Sequence, residues 1–172
     1  MTLRLILMRH AKSSWDDPAQ ADFDRPLNAR GRAAAPAMAD WLASRGERAG
    51  QALVSSAART RETFAAVTGA VGGPEVLFAD ALYLAGPDVM LRCLRQARAK
   101  NVIMIGHNPG IAAFAAALVQ QAPAHPDFDR YPTCATLIAE FSQSDWAGVG
   151  FGAGRAVAFA TPRTLDSGVW VA

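Results

Sequence analysis

Two histidines in this chain have neighbours suited to phosphate chemistry. Arg9-His10 closes the apolar run LRLILM, and His107 lies in Gly106-His107-Asn108-Pro109-Gly110, directly after the apolar run VIMI. Between them in sequence is SSAARTRET, residues 55–63, which carries Arg59 and Arg61. An imidazole can act as base, nucleophile or metal ligand near neutral pH. A guanidinium fork matches the oxygens of a phosphoryl group or carboxylate. Each segment also has an ordinary reading: a surface Arg-His pair, a solvated arginine on a helix, a hydrogen-bonded core histidine before a proline turn. The third histidine, His125, sits in a polar loop and is read as an ordinary loop residue.

The elements around these residues decide between the readings. Residues 3–9 form a short, continuously apolar run of the kind buried on both faces of a parallel sheet. Further strands are expected at 52–55, 76–79, 102–106, 135–141 and 156–161. Helices are expected from an Asn28 cap to about Arg48, with Ala33, Ala37, Trp41 and Leu42 inward, then over 57–71, 87–99 and from Pro109 to about Gln121. Pro36 either kinks the first helix or marks its true start. Residues 122–132 are a polar, proline-rich loop, and 148–154 a glycine-rich one. Strand and helix alternate through the first two thirds and two strands follow without a helix between them. This predicts a three-layer α/β/α sandwich with a mostly parallel central sheet and an antiparallel edge strand, in one domain over 1–172.

In such sheets ligands bind beyond the carboxyl ends of the strands. Arg9-His10, the 55–63 segment and GHNPG all fall at such ends, so the fold gathers them on one rim. Arg59 and Arg61 occupy the first turn of a helix, where the dipole disfavours cations by roughly 0.3–1 kcal/mol. A bound anion removes that conflict, and the helix after His107-Asn108 offers a second anion-favouring end. With Arg9 added, the rim suits a dianion such as a phosphoryl group. A metal site is the chemical competitor, since two histidines can hold a divalent ion. The cationic neighbours oppose it, and neither HxxxH nor HExxH spacing occurs. Walker, GxGxxG and GxSxG motifs are absent, and neither Cys93 nor Cys134 sits in a phosphate loop.

Composition narrows the class. The chain has 172 residues, 51% hydrophobic and 19% charged, with a formal net charge of +2. That describes a globular protein with a core and gives no electrostatic case for nucleic acid or membrane. The two cysteines form no CxxC pair and read as small core residues of a reducing compartment. The run IAAFAAALV is well short of the ~18 residues of a membrane span. A cytoplasmic location is expected.

MRHAKSSW, SSAARTRET with its S-x3-R-x3-T spacing, and GHNPG together resemble the histidine phosphatase, or phosphoglycerate mutase-like, superfamily. FDRPLNARG at 23–31 is similar to the short branch that includes the phosphohistidine phosphatase SixA. Ala11 stands where larger branches commonly carry glycine. The resemblance implies that His10 is the nucleophile accepting the phosphoryl group, that Arg9, Arg59 and His107 hold its oxygens, and that no metal or other cofactor is needed. Ser13 and Asn108 fall in the same motifs and are candidate substrate contacts. Asp80, after the third strand, is the positional match for a general acid, with a helix cap or surface role as its ordinary reading.

Only about eight residues join the third strand to the next helix, a short connection. An open pocket without a lid follows. It favours phosphoryl groups on a protein, including a phosphohistidine domain, or on a small phosphomonoester, and disfavours mutase activity. A non-catalytic phosphate-binding or protein-interaction module is the rival from another class. The intact set of Arg9, His10, Arg59 and His107 argues against it. Arg25 and the 122–132 loop are either partner-selecting or simply solvated.

Overall fold

The structure, a computed structural model, describes residues 2–168. Six strands form one sheet in the order β3-β2-β4-β1-β5-β6: β1 Leu3–Arg9, β2 Gln51–Ser55, β3 Glu75–Ala79, β4 Asn101–Gly106, β5 Thr136–Phe141 and β6 Arg155–Ala160. β1, β4, β2 and β3 pair in parallel, whereas β5 runs antiparallel to both β1 and β6. The antiparallel strand thus lies one position in from the β6 edge.

Helices cover both faces. Leu3, Leu5, Leu7 and Met104 share one core with α3 (Pro87–Arg95) and α4 (Gly110–Leu118). Ile6, Met8, Ile103 and Ile105 share the other with α1 (Ala29–Ser44) and α2 (Ala58–Val67). Alternate residues of one strand feed opposite cores, which is why β1 and β4 read as unbroken apolar runs. A short α5 (Pro162–Ser167), opened by a Thr161–Thr164 capping box, packs against α1 and has no counterpart in the sequence reading. No helix among the described residues is long and apolar enough to cross a membrane.

Several boundaries differ from expectation. Asn28 caps α1 as expected, its side chain accepting from the Gly31 N–H at 2.9 Å. The helix runs through Pro36, which lies on the exposed side, and ends at Ser44. Its buried stripe is Gly31, Ala35, Met38, Ala39, Trp41 and Leu42, so Ala33 and Ala37 face water. Alanine fits either environment, and the large Met38 and Leu42 side chains set the face. The helices α2, α3 and α4 each stop several residues early, α4 because Val119 leaves it to bridge Gly154.

Two glycines allow backbone to meet backbone near the rim at the carboxyl ends of the strands. A Cβ on Gly31 would lie 2.2 Å from the Lys12 carbonyl oxygen, and one on Gly110 only 1.6 Å from that of Ala85. Gly69, by contrast, faces open space. Gly110→Ala is therefore expected to lower unfolding free energy by about 2–4 kcal/mol, and Gly69→Ala to change it by less than ~0.5 kcal/mol, in urea titrations.

Candidate active site

The strands β2, β4 and β1 are adjacent, so their carboxyl ends bring Ser55, His107 and His10 to one place. The imidazole rings of His10 and His107 lie 5.2 Å apart between centroids, tilted by 54°. With Arg9, Arg59, Ser13 and Asn108 they line an open cavity of about 400 Å³.

His10 is fixed through its backbone, with its N–H donating to the Gly106 carbonyl at 3.1 Å and its carbonyl accepting from Cys134 at 3.0 Å. Its Nδ1 lies 2.7 Å from the Ala11 carbonyl oxygen, which can only accept, so Nδ1 carries the proton. That leaves Nε2 with a lone pair, and the Arg59 Nε–H donates to it at 3.3 Å. The residues of the S-x3-R-x3-T pattern divide the work. Ser55 Oγ meets His107 Nε2 at 2.7 Å, Arg59 meets His10, and Thr63 Oγ1 accepts from the Ala11 N–H at 3.0 Å while donating to the Arg59 carbonyl.

Burial is the main force on the histidines. It pushes both His10 and His107 down to about 3, and the neighbouring Arg59 and Arg9 guanidiniums add to the shift. Arg9 is itself lowered, first by burial and then by Arg59. Arg9 Nη1 donates to the Tyr131 carbonyl at 3.0 Å. Arg9 Nε and His107 Nδ1 are buried with no hydrogen-bond partner among the described residues. The Arg9 Nε–H, a buried donor without a partner on a cavity-lining residue, fits a ligand rich in acceptor oxygens.

The sequence reading missed the carboxylate of the site. Asp22 lies in a short 3-10 turn, Asp22–Asp24, and its backbone oxygen accepts from Arg59 Nη1 at 2.6 Å. Its carboxylate accepts from Arg59 Nη2 at 3.0 Å, from Arg25 Nε at 3.1 Å and from the Tyr83 hydroxyl. These contacts, the Tyr83 hydrogen bond foremost, hold Asp22 down at about 2. Tyr83 also sets its ring edge-on to His107, at 5.4 Å between centroids. Only position hinted at this group, since Asp22 immediately precedes the FDRPLNARG segment at 23–31.

Other candidates are placed as follows. Ser13 is buried and bridges Leu27, and Asn108 Nδ2 donates to the Arg130 and Tyr131 carbonyls at 2.9 and 3.2 Å. Asp80 is exposed and does not line the cavity, so an acid there finds no geometric support. β3 stands at the sheet's edge, beyond β2, and the turn after it brings Leu84, not Asp80, to the cavity. Arg61 turns back to the Ser56 carbonyl and stacks over Phe78, away from the cavity. Arg25 is buried, not solvated. His125 accepts from the Asp127 N–H and packs edge-on to Phe159, an ordinary structural role. Among the described residues no group of three or more His, Cys, Asp or Glu could hold a metal ion.

Comparison with known proteins agrees with this geometry. The model of the histidine phosphatase superfamily (branch 1) matches residues 5–82. An uncharacterised protein of Mycobacterium tuberculosis is 31% identical over 163 residues, covering 91% of this chain and all of that protein. An uncharacterised chloroplastic protein of Arabidopsis thaliana is 49% identical over 70 residues, 41% of this chain, and the chain spans only 32% of its length. The chain belongs to the histidine phosphatase superfamily. Within it the structure is SixA-like: a provisionally named phosphohistidine phosphatase SixA from Nakamurella multipartitia superposes with a TM-score of 0.80 at 28% identity, covering 94% of this chain and 97% of that one. Family and fold support a phosphatase.

The depressed histidines make stability depend on pH. Unfolded, both titrate near ~6.5, and folded, near about 3. Between these values the unfolded chain binds more protons, so stability falls as pH is lowered through that window and is independent of these groups above it. The urea midpoint is expected to decline from pH 7 to pH 4, and a His10→Asn/His107→Asn double variant to show a shallower decline.

Proposed function

We propose that the protein is a metal-independent phosphatase that works through a phosphohistidine intermediate on His10 and acts on phosphohistidine in proteins. The Nε2 lone pair of His10 attacks phosphorus, forming an N–P bond as the bond to the leaving group breaks and takes its electron pair. Arg9, Arg59 and His107 hold the equatorial oxygens and balance their charge. Water then attacks phosphorus and the His10–phosphorus bond breaks. Orthophosphate departs, and the proton released by water restores the starting balance. Arg59 Nε must leave His10 Nε2 before the first step, and an arriving dianion supplies the better acceptor for it.

One observation carries the substrate reading. Asp22 is the one carboxylate lining the cavity among the described residues, and it is held at about 2. It is ionised at neutral pH and cannot protonate a departing alkoxide. A phosphohistidine already protonated on its other ring nitrogen leaves as neutral imidazole and needs no such acid. The same residues could turn over small phosphomonoesters that carry good leaving groups. A side-by-side assay decides between them: kcat/KM is expected to be at least tenfold higher for a phosphohistidine protein than for any of a panel of alkyl phosphoesters. A phosphoester that equals or exceeds it defeats the substrate reading.

The nucleophile is tested separately. His10→Ala is expected to lower turnover by more than a thousandfold while inorganic phosphate still binds, measured by calorimetry. Quenched wild-type enzyme is expected to carry an acid-labile, alkali-stable phosphoryl group on His10. Asp80→Asn is expected to change turnover less than twofold.

A further inference from the structure

Two large apolar side chains at the cavity mouth face water. Trp15 is 72% exposed and Leu84 is 52% exposed, and both line the same cavity as His10. Isolated exposed apolar residues are ordinary. These two are held in place by specific local features. The Arg25 guanidinium lies 3.5 Å from the centre of the Trp15 ring. Arg25 is only 7% exposed and is tied to Asp22 Oδ1 and to the Ser14 carbonyl, each at 3.1 Å. The indole is thus clamped by a cation that is itself anchored and charge-paired, while most of its surface stays open. Leu84 has φ 49°, in the left-handed region that costs a non-glycine residue roughly 1 kcal/mol or more. It follows Tyr83, which is bonded to Asp22 and packed on His107.

From these features we infer that Trp15 and Leu84 form a docking lip for the folded protein that carries the phosphohistidine, an inference resting on the phosphatase reading above. A rigid aromatic loses little conformational freedom on contact and is the usual anchor of a protein interface. The lip is apolar, while Arg9, Arg59 and exposed Lys12 make the cavity beside it cationic. The complementary partner presents a dianion surrounded by apolar surface. A small phosphate compound held within about 400 Å³ satisfies the guanidiniums without covering the outer faces of Trp15 and Leu84. A protein surface around a phosphorylated histidine covers both.

The test compares two N-phosphoryl substrates: a small protein phosphorylated on one surface histidine, and phosphoramidate. Trp15→Ala and Leu84→Gly are each measured, glycine being suited to the left-handed backbone at position 84. The ratio of kcat/KM for the protein to that for phosphoramidate is expected to fall at least tenfold in each, carried by KM, and Trp15→Phe is expected to restore it. An unchanged ratio overturns the inference, whether both rates fall together or neither does. The phosphatase reading fails separately: wild-type protein inert toward both substrates defeats it, and the docking lip with it.

Discussion

An imidazole attacks phosphorus only with a proton-free nitrogen held still, and the contact between His10 Nδ1 and the Ala11 carbonyl oxygen supplies both conditions. The rest of the site keeps that contact in place. Thr63 pins the Ala11 peptide by accepting from its N–H, and Gly106 and Cys134 hold the two sides of the His10 backbone. Lys12 follows with its carbonyl packed on α1, an approach that only a glycine at 31 permits. The strand-to-loop transition after β1 is therefore fixed by α1, α2, β4 and the turn before β5. The orientation of the His10 ring is a property of the whole sheet rim, not of a local motif.

That dependence explains the four-residue spacing of Ser55, Arg59 and Thr63. Residues four apart on a helix share a face, and α2 starts just beyond the end of β2. Ser55, at the strand end, reaches His107; Arg59, in the first turn, reaches His10; Thr63, one turn on, reaches the peptide after His10. One short segment thus connects the ends of β1 and β4. It also accounts for a cation at a helix N-terminus. The unfavourable placement of Arg59 is offset by Asp22, which takes both of its terminal nitrogens.

How far the site could be read from the chain follows the same division. The gathering of Arg9, His10, Arg59 and His107 on one rim was legible because strand ends are legible: apolar runs at 3–8, 52–54 and 102–105 mark where the chain must emerge from the sheet, whereas the role of His10 came only from the family resemblance. The α/β/α layering came from the same runs. Asp22 and Tyr83 were not legible, because each sits in a loop whose path depends on packing remote in sequence, and for the same reason Arg25 was legible only as a choice between partner-selecting and solvated. Asp22 meets Tyr83 across sixty-one positions. Asp80 stands off the cavity for a related reason: being next to a strand end does not reveal which way the following turn points. The inner face of α1 was misread where alanines, which suit core and surface alike, outnumbered the residues that fix the register.

Charge within the cavity bears on which leaving groups the site can serve. Arg9 and Arg59 are partly or fully buried beside two histidines that burial keeps neutral, so the buried positive charge resides on guanidiniums that cannot surrender protons, and exposed Lys12 also lines the cavity. The single carboxylate lining the cavity among the described residues is committed to Arg59, Arg25 and Tyr83. On the phosphatase reading proposed above, such a site stabilises charge on phosphoryl oxygens, while its one lining carboxylate among the described residues has no proton to give. Raising Asp22 toward the range of a working acid would mean breaking the contacts that orient Arg59. General-acid assistance and oxyanion stabilisation are therefore in competition at this position, and the hydrogen bonds around Asp22 resolve it in favour of orientation. A substrate whose leaving group is already an imidazole avoids that conflict.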